Sequence, residues 1–437
     1  MASRLSITNV LSARLLRTVR VSSAHWQRRA LFLVGGITVG AAAVGLALAA
    51  DWVQAEFHLL VARWRYASLI VTPLGFALSV YLTNRFFQNS QGSGIPQAIA
   101  ARELDDQEAR GRLVSARIAV GKILLTLLGL LCGASAGREG PTVQVGASIM
   151  FAIGRFSPRR QPGLILAGAA AGVAAAFNTP LAGIVFGIEE MSRAFETRTS
   201  GLIIAAVIAA GLTSLALVGN YAYFGSSPAM LRNGLDWLAV PVCGVAGGLA
   251  GGLFSRIVIL MARGLPGAFG RRLKANPIPF ALACGVLVAL CGIASGDTIY
   301  GTGYAQVKAA LEGATQLRAD FGVFKFLATI FSTISGIPGG IFSPSLAVGA
   351  GIGANIAQLF PTAPIAPIIL LGMVSYFAGV VQAPITAFVI VTEMTDNHAM
   401  VIPLMCAALI GYAASKVICP EGIYHALAKG FTPPSSR

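Results

Sequence analysis

Long apolar runs separated by short polar breaks dominate the chain. Seven runs approach or reach the ~20 residues that an untilted helix needs to cross a bilayer: 30–50, 66–83, 116–136, 201–219, 237–262, 277–294 and 400–418. Others are shorter and interrupted by Gly or Pro: 142–154, 162–176, 181–191, 345–358, 366–380 and 384–394. Such short helices are tolerated at membrane depth only where protein or a water-filled cavity covers their ends. The pattern predicts an all-α integral membrane protein of spanning and broken helices.

One segment of the chain occurs twice. Residues 137–149, Gly-Arg-Glu-Gly-Pro-Thr-Val-Gln-Val-Gly-Ala-Ser-Ile, are echoed 203 positions later by residues 340–352, Gly-Ile-Phe-Ser-Pro-Ser-Leu-Ala-Val-Gly-Ala-Gly-Ile. Two shorter echoes keep the same order: 92–97 with 301–306, and 180–191 with 384–394. Duplicated membrane halves with corresponding broken helices are typical of transporters, whose sites lie where the halves meet.

The echoes divide the chain into two membrane repeats with short flanking segments. We predict a basic N-terminal segment at 1–29, a first repeat at 30–220, a connection at 221–236, a second repeat at 237–430 and a tail at 431–437.

Composition agrees with a membrane protein and excludes a nucleic-acid binder. The 437 residues are 55% hydrophobic and 11% charged, with a mean hydropathy of +0.74, whereas soluble domains carry about 25% charged residues. The net charge of +15 is concentrated in loops, and residues 1–29 hold six arginines and no acid. This excess predicts a cytoplasmic N-terminus. The alternative of a cleaved signal peptide is disfavoured because the apolar run that follows is too long.

The residues offer no enzyme chemistry. Six cysteines and four histidines are dispersed, without a Cys-x-x-Cys pair or metal-ligand spacing. A membrane-embedded enzyme would need a nucleophile with a base, or a metal cluster. We therefore expect neither an enzyme nor a metal or other cofactor.

Three Gly- and Pro-punctuated segments, 92–96, 137–141 and 340–344, each precede an apolar run. Each would leave the first backbone N–H groups of a helix unpaired, and the helix dipole makes that end attractive to an anion. Glycine lets the backbone approach the ion, and proline suits the first helical turn. Converging near the midplane, the three ends predict an anion site built from partial charges, although each could also be an ordinary break between helices.

Two ionisable residues lie within apolar sequence, where a charge is costly and therefore indicates function. The Glu139 carboxylate could occupy an anion site and leave it on protonation, which would couple a proton to anion movement. A surface pair of Glu139 with Arg138 is the alternative. Lys122 needs a carboxylate partner or a bound anion nearby, unless it snorkels to the interface. We favour a long-range electrostatic contribution of Lys122 to the anion site.

Three further glutamates lie at the ends of apolar runs. We expect Glu189 to be solvated where its helix meets water, and Glu393 to be a helix-end carboxylate that is the repeat counterpart of Glu190.

Gly-Ser-Gly-Ile-Pro at 92–96, Gly-Arg-Glu-Gly-Pro at 137–141, Gly-Ile-Phe-Ser-Pro at 340–344 and Tyr424 together resemble the signature of the CLC chloride channel and transporter family. The resemblance extends from about residue 30 to 430. It implies a homodimer in the lipid bilayer, with one pathway per subunit formed by two inverted-topology repeats of tilted and broken helices. The absence of C-terminal regulatory domains resembles prokaryotic members and implies a bacterial inner membrane.

The resemblance also implies an anion-binding set. Ser93 would donate its hydroxyl and Tyr424 its phenol to the central anion, while Ile341 and Phe342 would donate backbone N–H groups. A serine at position 93 is similar to chloride-preferring members, so chloride is the expected anion.

By the same resemblance, Glu139 is the gating glutamate, Glu190 the inner proton-transfer glutamate and Lys122 the lysine behind the pore. Residues 97–99 lack the acidic residue expected near Lys122, which leaves its charge partner open. The implied function is chloride/proton antiport, and the alternative is a passive chloride channel on the same scaffold. Glu190 favours antiport, because a channel does not need it.

Overall fold

The computed structural model describes residues 2–156, 160–192, 197–219, 222–225, 228–232 and 234–432. The side chains of the predicted basic segment 1–29, parts of the connection 221–236 and residues 433–437 of the predicted tail lie outside the described residues.

Helices are the main elements of the described part of the chain. In chain order the helices are α1 (Ala2–Arg63), α2 (Ser68–Phe86), α3 (Ile95–Glu103), α4 (Gln107–Leu113), α5 (Ala116–Leu131), α6 (Glu139–Ile153), α7 (Gln161–Phe177), α8 (Pro180–Phe186), α9 (Thr197–Val218), α10 (Ala239–Arg263), α11 (Gly267–Ala275), α12 (Pro277–Ser295), α13 (Tyr304–Leu311), α14 (Phe321–Ile334), α15 (Phe342–Ala357), α16 (Ile365–Val381), α17 (Pro384–Thr395), α18 (Val401–Ile418) and α19 (Ile423–Ala428).

The mixture of long and broken helices confirms the prediction from hydropathy. Six helical stretches in the described residues are long and apolar enough to cross a membrane, and five more are apolar but shorter. Helices α4, α11, α13, α14 and α19 lie outside the predicted apolar runs. Helix α4 lies in charged sequence and begins where the Asp106 carboxylate accepts from the Ala109 N–H at 2.8 Å. Helix α14 carries Lys325 in its second turn, which interrupts the apolar run.

The two halves have matching helix packing. Helix α1 packs on α7 and α9 as α10 packs on α16 and α18, and α6 packs on α7 as α15 packs on α16. At the α6–α7 contact, Gly146 meets the backbone of Gly168, and at the α15–α16 contact Gly349 meets the backbone of Gly372. A side chain at any of these glycines would collide with the facing helix, so glycine allows the close approach that membrane helices use for association.

The repeated segments meet each other directly. The Gly137 N–H donates to the Gly340 carbonyl at 2.7 Å, and the Gly340 N–H donates back to the Gly137 carbonyl at 2.7 Å, in an antiparallel bridge. Equivalent residues that pair in antiparallel directions are related by a two-fold axis between them. The protein is therefore an all-α membrane protein of two inverted-topology repeats, and this axis passes between the starts of α6 and α15.

Two glutamates bind across the same repeat interface. The Glu189 carboxylate accepts from the N–H groups of Ile385 at 3.1 Å and Thr386 at 2.6 Å, at the start of α17. In return, Glu393 accepts from the first N–H groups of α8, at 3.1 and 2.6 Å. Each carboxylate thus satisfies unpaired donors at the positive end of the partner helix. The expectation that Glu189 is solvated is wrong.

The structural partner of Glu393 is consequently Glu189, and its assignment as the counterpart of Glu190 is also wrong. A π-helical turn over Gly187–Ser192 explains the error. Pro180 corresponds to Pro384, 204 positions on, whereas Met191 corresponds to Met394, 203 positions on. The π turn accommodates this extra residue and rotates Glu190 away from the reciprocal contact.

We predict that Glu189→Gln and Glu393→Gln each lower the thermal inactivation temperature in detergent. Each loses charge-assisted hydrogen bonds worth about 1.5–3 kcal/mol. The control is Glu108→Gln, because the Glu108 side chain is 78% exposed and should leave the temperature unchanged. Equal temperatures for all three variants and the unmodified protein would show that the reciprocal contact does not hold the halves together.

Candidate anion site

The three predicted helix starts are confirmed. Helix α3 begins at Ile95, α6 at Glu139 and α15 at Phe342, each within the corresponding Gly- and Pro-containing segment. Gly94 precedes α3 with a φ of 93°, in the left-handed region that favours glycine. A second backbone link, from the Gly339 N–H to the Gly92 carbonyl at 3.0 Å, ties the segment before α3 to the segment before α15.

Three of the predicted anion-binding residues line one cavity. Ser93, Ile341 and Tyr424 contribute to a cavity of about 650 Å³. Arg263 and Lys429 also line it, and their side chains are 53% and 68% exposed. The cavity therefore runs from basic surface residues to the starts of α3 and α15.

The hydroxyl groups at the inner end suit an anion. The Tyr424 side chain is fully buried, and its Oη has no hydrogen-bond partner among the described residues. The Ser93 Oγ accepts from the Ile95 N–H at 3.4 Å, which leaves its own proton available for donation. A buried donor without a partner is costly, so these two groups fit a ligand that accepts hydrogen bonds.

Phe342, the fourth predicted anion-binding residue, is not among those that line the cavity. Its ring packs among other aromatic rings. Its ring contacts Phe377 at a centroid distance of 4.9 Å, Phe186 at 5.8 Å, and Phe177 and Tyr424 at 6.0 Å each. The first N–H groups of a helix have no intrahelical acceptor. The rings thus fix the start of α15, where Ile341 and Phe342 present such groups.

Glu139 lies in the protein interior, with no exposed surface. Its Oε1 accepts from the Ser343 hydroxyl at 2.6 Å, and its Oε2 has no partner among the described residues. Arg138 instead forms an ion pair with Asp51 at 2.6 Å and is itself only 5% exposed. The alternative of a surface pair between Arg138 and Glu139 is therefore wrong. Sequence reasoning missed Ser343, although it lies inside the quoted segment 340–344.

Lys122 is fully buried, so it does not snorkel. Its Nζ donates to the carbonyls of Ser90 at 2.6 Å and Gly92 at 2.8 Å, in the segment that carries Ser93. Backbone carbonyls are thus its hydrogen-bond partners, and this answers the question of the missing acidic residue.

A second lysine, which sequence reasoning missed, makes the same kind of contacts in the other half. Lys325 is fully buried, and its Nζ donates at 2.7 Å to the carbonyls of Ile299 and Gly301. Lys325 stands 203 positions after Lys122, and the segment that it holds is the echo of 92–97. The repeat could have revealed it by position.

Glu190 is 4% exposed and lies on the π turn beside α19. The His425 Nε2 is 2.9 Å from the Glu190 backbone oxygen and 3.7 Å from its Oε1. Tyr424 precedes His425, and its ring lies 6.0 Å from that of Phe342, the neighbour of the Ser343 that donates to Glu139. The two carboxylates are therefore both near the tyrosine that contributes to the cavity.

Comparison with known proteins agrees with this geometry. The sequence model of the family described as voltage gated chloride channel matches residues 74–416. The chain belongs to this chloride channel (CLC) family. Among named relatives, the H(+)/Cl(-) exchange transporter ClcA of Yersinia pseudotuberculosis is 32% identical over 90% of this chain and 85% of its own.

Solved structures of CLC proteins share the fold. A slow cyanobacterial Cl-/H+ antiporter has 26% identity and a TM-score of 0.77, over 92% of this chain and 97% of its own. A CLC-type fluoride/proton antiporter has a TM-score of 0.79 at 24% identity, over 92% of this chain and 97% of its own. The second likeness concerns the fold alone.

We predict that Lys122→Met weakens chloride binding at least tenfold, while Lys325→Met leaves it within about twofold. Both remove charged donors that hold carbonyls, an effect of about 1.5–3 kcal/mol, but only Lys122 holds the segment that carries Ser93. Isothermal titration of the detergent-solubilised proteins with chloride measures the affinities. Equal losses would mean that the lysines stabilise the fold without any particular effect on the anion site.

Proposed function

We propose that this CLC protein is a secondary active antiporter that exchanges chloride for protons. Chloride passes the site of Ser93, Ile341, Phe342 and Tyr424, and protons pass between Glu139 and Glu190. The observation that carries the proposal is the pair of buried carboxylates near Tyr424. A passive pathway for anions has no need of the second one. The exchange activity in the names of similar proteins supports the proposal.

Chloride binding at this site relies on partial charges. Hydroxyl protons, backbone N–H groups and the dipoles of α3 and α15 provide them. The buried Lys122 contributes its positive charge from behind the segment that carries Ser93. Its Nζ holds this segment by donating to the carbonyls of Ser90 and Gly92. Such a site stabilises an anion without the tight ion pair that would trap it, as transport requires.

Glu139 gates the pathway in this proposal. Its carboxylate accepts from Ser343, the second residue of α15, at 2.6 Å. An anion is favoured at the start of that helix, so the ionised side chain competes with chloride for the same donors. Protonation removes the charge, weakens the contacts with Ser343 and the helix start, and releases the side chain with its proton.

Glu190 exchanges protons on the opposite, cytoplasmic side. A carboxylate that is 4% exposed is costly in its charged form, which makes a change of protonation part of its role. One proton shared between Glu190 and Glu139 during each cycle couples the two ion movements.

We further propose a homodimer in a bacterial inner membrane, with a cytoplasmic N-terminus and one pathway per subunit. The positive charge of residues 1–29 supports this orientation. The matching helix packing of α1 and α10 supports repeats over 30–220 and 237–430.

We predict uncoupling by either glutamate variant in proteoliposomes with an imposed chloride gradient. The unmodified protein should drive protons against their gradient, as followed by the external pH. Glu190→Gln should abolish proton movement and retain chloride flux. Glu139→Gln, which mimics the protonated gate, should also conduct chloride without protons.

The exposed Glu108→Gln variant is the control and should remain fully coupled. Chloride flux without proton movement in the unmodified protein would contradict antiport and favour a passive channel. Normal coupling in Glu139→Gln would reject its role as the gate.

A further inference from the structure

We propose that His425 relays protons between the cytoplasmic solution and Glu190. This inference rests on the proposed function, in which Glu190 is the inner proton acceptor. It assigns a transport role to a residue outside the motifs that carry the family resemblance.

The contact geometry places the imidazole beside both oxygen groups of Glu190. The His425 Nε2 is 2.9 Å from the backbone oxygen and 3.7 Å from Oε1. The first distance is a hydrogen bond, and the second closes to one with a small side-chain rotation. The two acceptors lie on the same side of the ring, so a proton on Nε2 can be donated to either.

Exposure gives the pair a direction. The Glu190 side chain is 5% exposed and the His425 side chain 18% exposed. Glu190 is thus nearly sealed from water, whereas His425 retains contact with it. A proton that reaches Glu190 by way of the imidazole crosses the last buried step without a separate water path.

Helix α19 joins the two ion pathways. Tyr424 lines the anion cavity, and the imidazole of His425, the next residue, contacts the π turn. Successive residues of a helix point about 100° apart, which allows one short helix to serve both chloride and protons.

Other charged groups surround the pair. Arg102 on α3 donates to the Met191 carbonyl at 2.9 Å and to the Ser192 hydroxyl at 3.2 Å, which fixes the π turn. Glu421 accepts from Arg263 at 2.8 Å and from Lys429 at 3.0 Å. The remaining charged residues on the elements around α19 are Glu103 on α3, Arg256 on α10 and Glu189 on the π turn, and α16 carries none.

Imidazole is the group in this set that changes charge between about pH 5 and 8. A solution proton binds Nδ1 of the neutral ring, while Nε2 keeps its own proton. The resulting imidazolium transfers the Nε2 proton to Glu190 Oε1, which yields a neutral carboxyl and a neutral ring protonated on Nδ1. Exchange with water returns the proton to Nε2, so one proton has moved from solution to Glu190.

The test uses His425→Gln in proteoliposomes, with coupled proton and chloride fluxes measured from pH 5 to 8. Glutamine retains a donor for the Glu190 backbone oxygen, but its amide does not gain or lose charge near neutral pH. We expect the coupled turnover at pH 7 to fall about tenfold, within the range for the loss of a positioned acid or base. The dependence on pH should flatten, and chloride affinity by titration should be unchanged. His398→Gln is the matched control, since the His398 side chain is 80% exposed.

His425→Ala with added imidazole gives an independent readout. Free imidazole should restore the proton flux of this variant and leave Glu190→Gln inactive in proton transport. An unchanged turnover and pH profile in His425→Gln would overturn the relay. A loss of chloride affinity equal to the loss of turnover, without imidazole rescue, would overturn it in favour of a structural role. Proton transport that persists in Glu190→Gln would reject the proposed function itself, whatever His425→Gln does.

Discussion

The backbone bridge between Gly137 and Gly340 is the contact on which the rest of the site depends. Its two hydrogen bonds, both 2.7 Å, bring the starts of α6 and α15 together at the axis between the repeats. Two helix N-termini that meet in the interior concentrate positive potential, and water cannot dissipate it there. A negatively charged group is therefore favoured beside these helix starts, and the chain supplies the Glu139 carboxylate, which contacts Ser343 at the start of α15. Gly140 shows how tight this junction is, since a Cβ there would lie 3.1 Å from the Gly340 Cα.

The need for a negative group beside buried helix N-termini is met in three ways in this protein. At α8 and α17 it is met permanently, because Glu189 and Glu393 each cap the helix of the other repeat. At α6 and α15 it is met by a carboxylate that can be neutralised. At α3 and α15, by our proposal, the cavity with Tyr424 leaves the position to a mobile anion. A fixed cap is thus a carboxylate that stays in place. In a transport site, as we propose it, the negative group is either neutralised by a proton or is an ion that can leave.

Much of this arrangement could be predicted from the sequence, because it depends on local signals. Gly and Pro punctuation marked the starts of α3, α6 and α15, and apolar runs marked most membrane helices. The repeat predicted that the halves meet. Contacts between the halves could not be predicted in the same way. Glu189 was expected in water because a helix-end carboxylate usually is, and only the fold brings it to α17.

The remaining errors have equally specific causes. A π turn adds one residue at Gly187–Ser192, and a register read from identity cannot detect where such an insertion lies. Helix α14 was not predicted, and the charged Lys325 within it is matched by two carbonyls that only the fold brings near. The Ser343 hydroxyl has no motif of its own, and its role is visible only once Glu139 is placed beside it.

The most direct measurement is anomalous diffraction from crystals grown in bromide, which replaces chloride and can be located by its scattering. Our account predicts a bromide peak between the Ser93 hydroxyl, the Tyr424 phenol and the N–H groups of Ile341 and Phe342. It predicts a second peak beside Ser343 in Glu139→Gln, where the competing carboxylate charge is gone. A bromide found only at the basic cavity mouth of Arg263 and Lys429, with none at the helix starts, would contradict it.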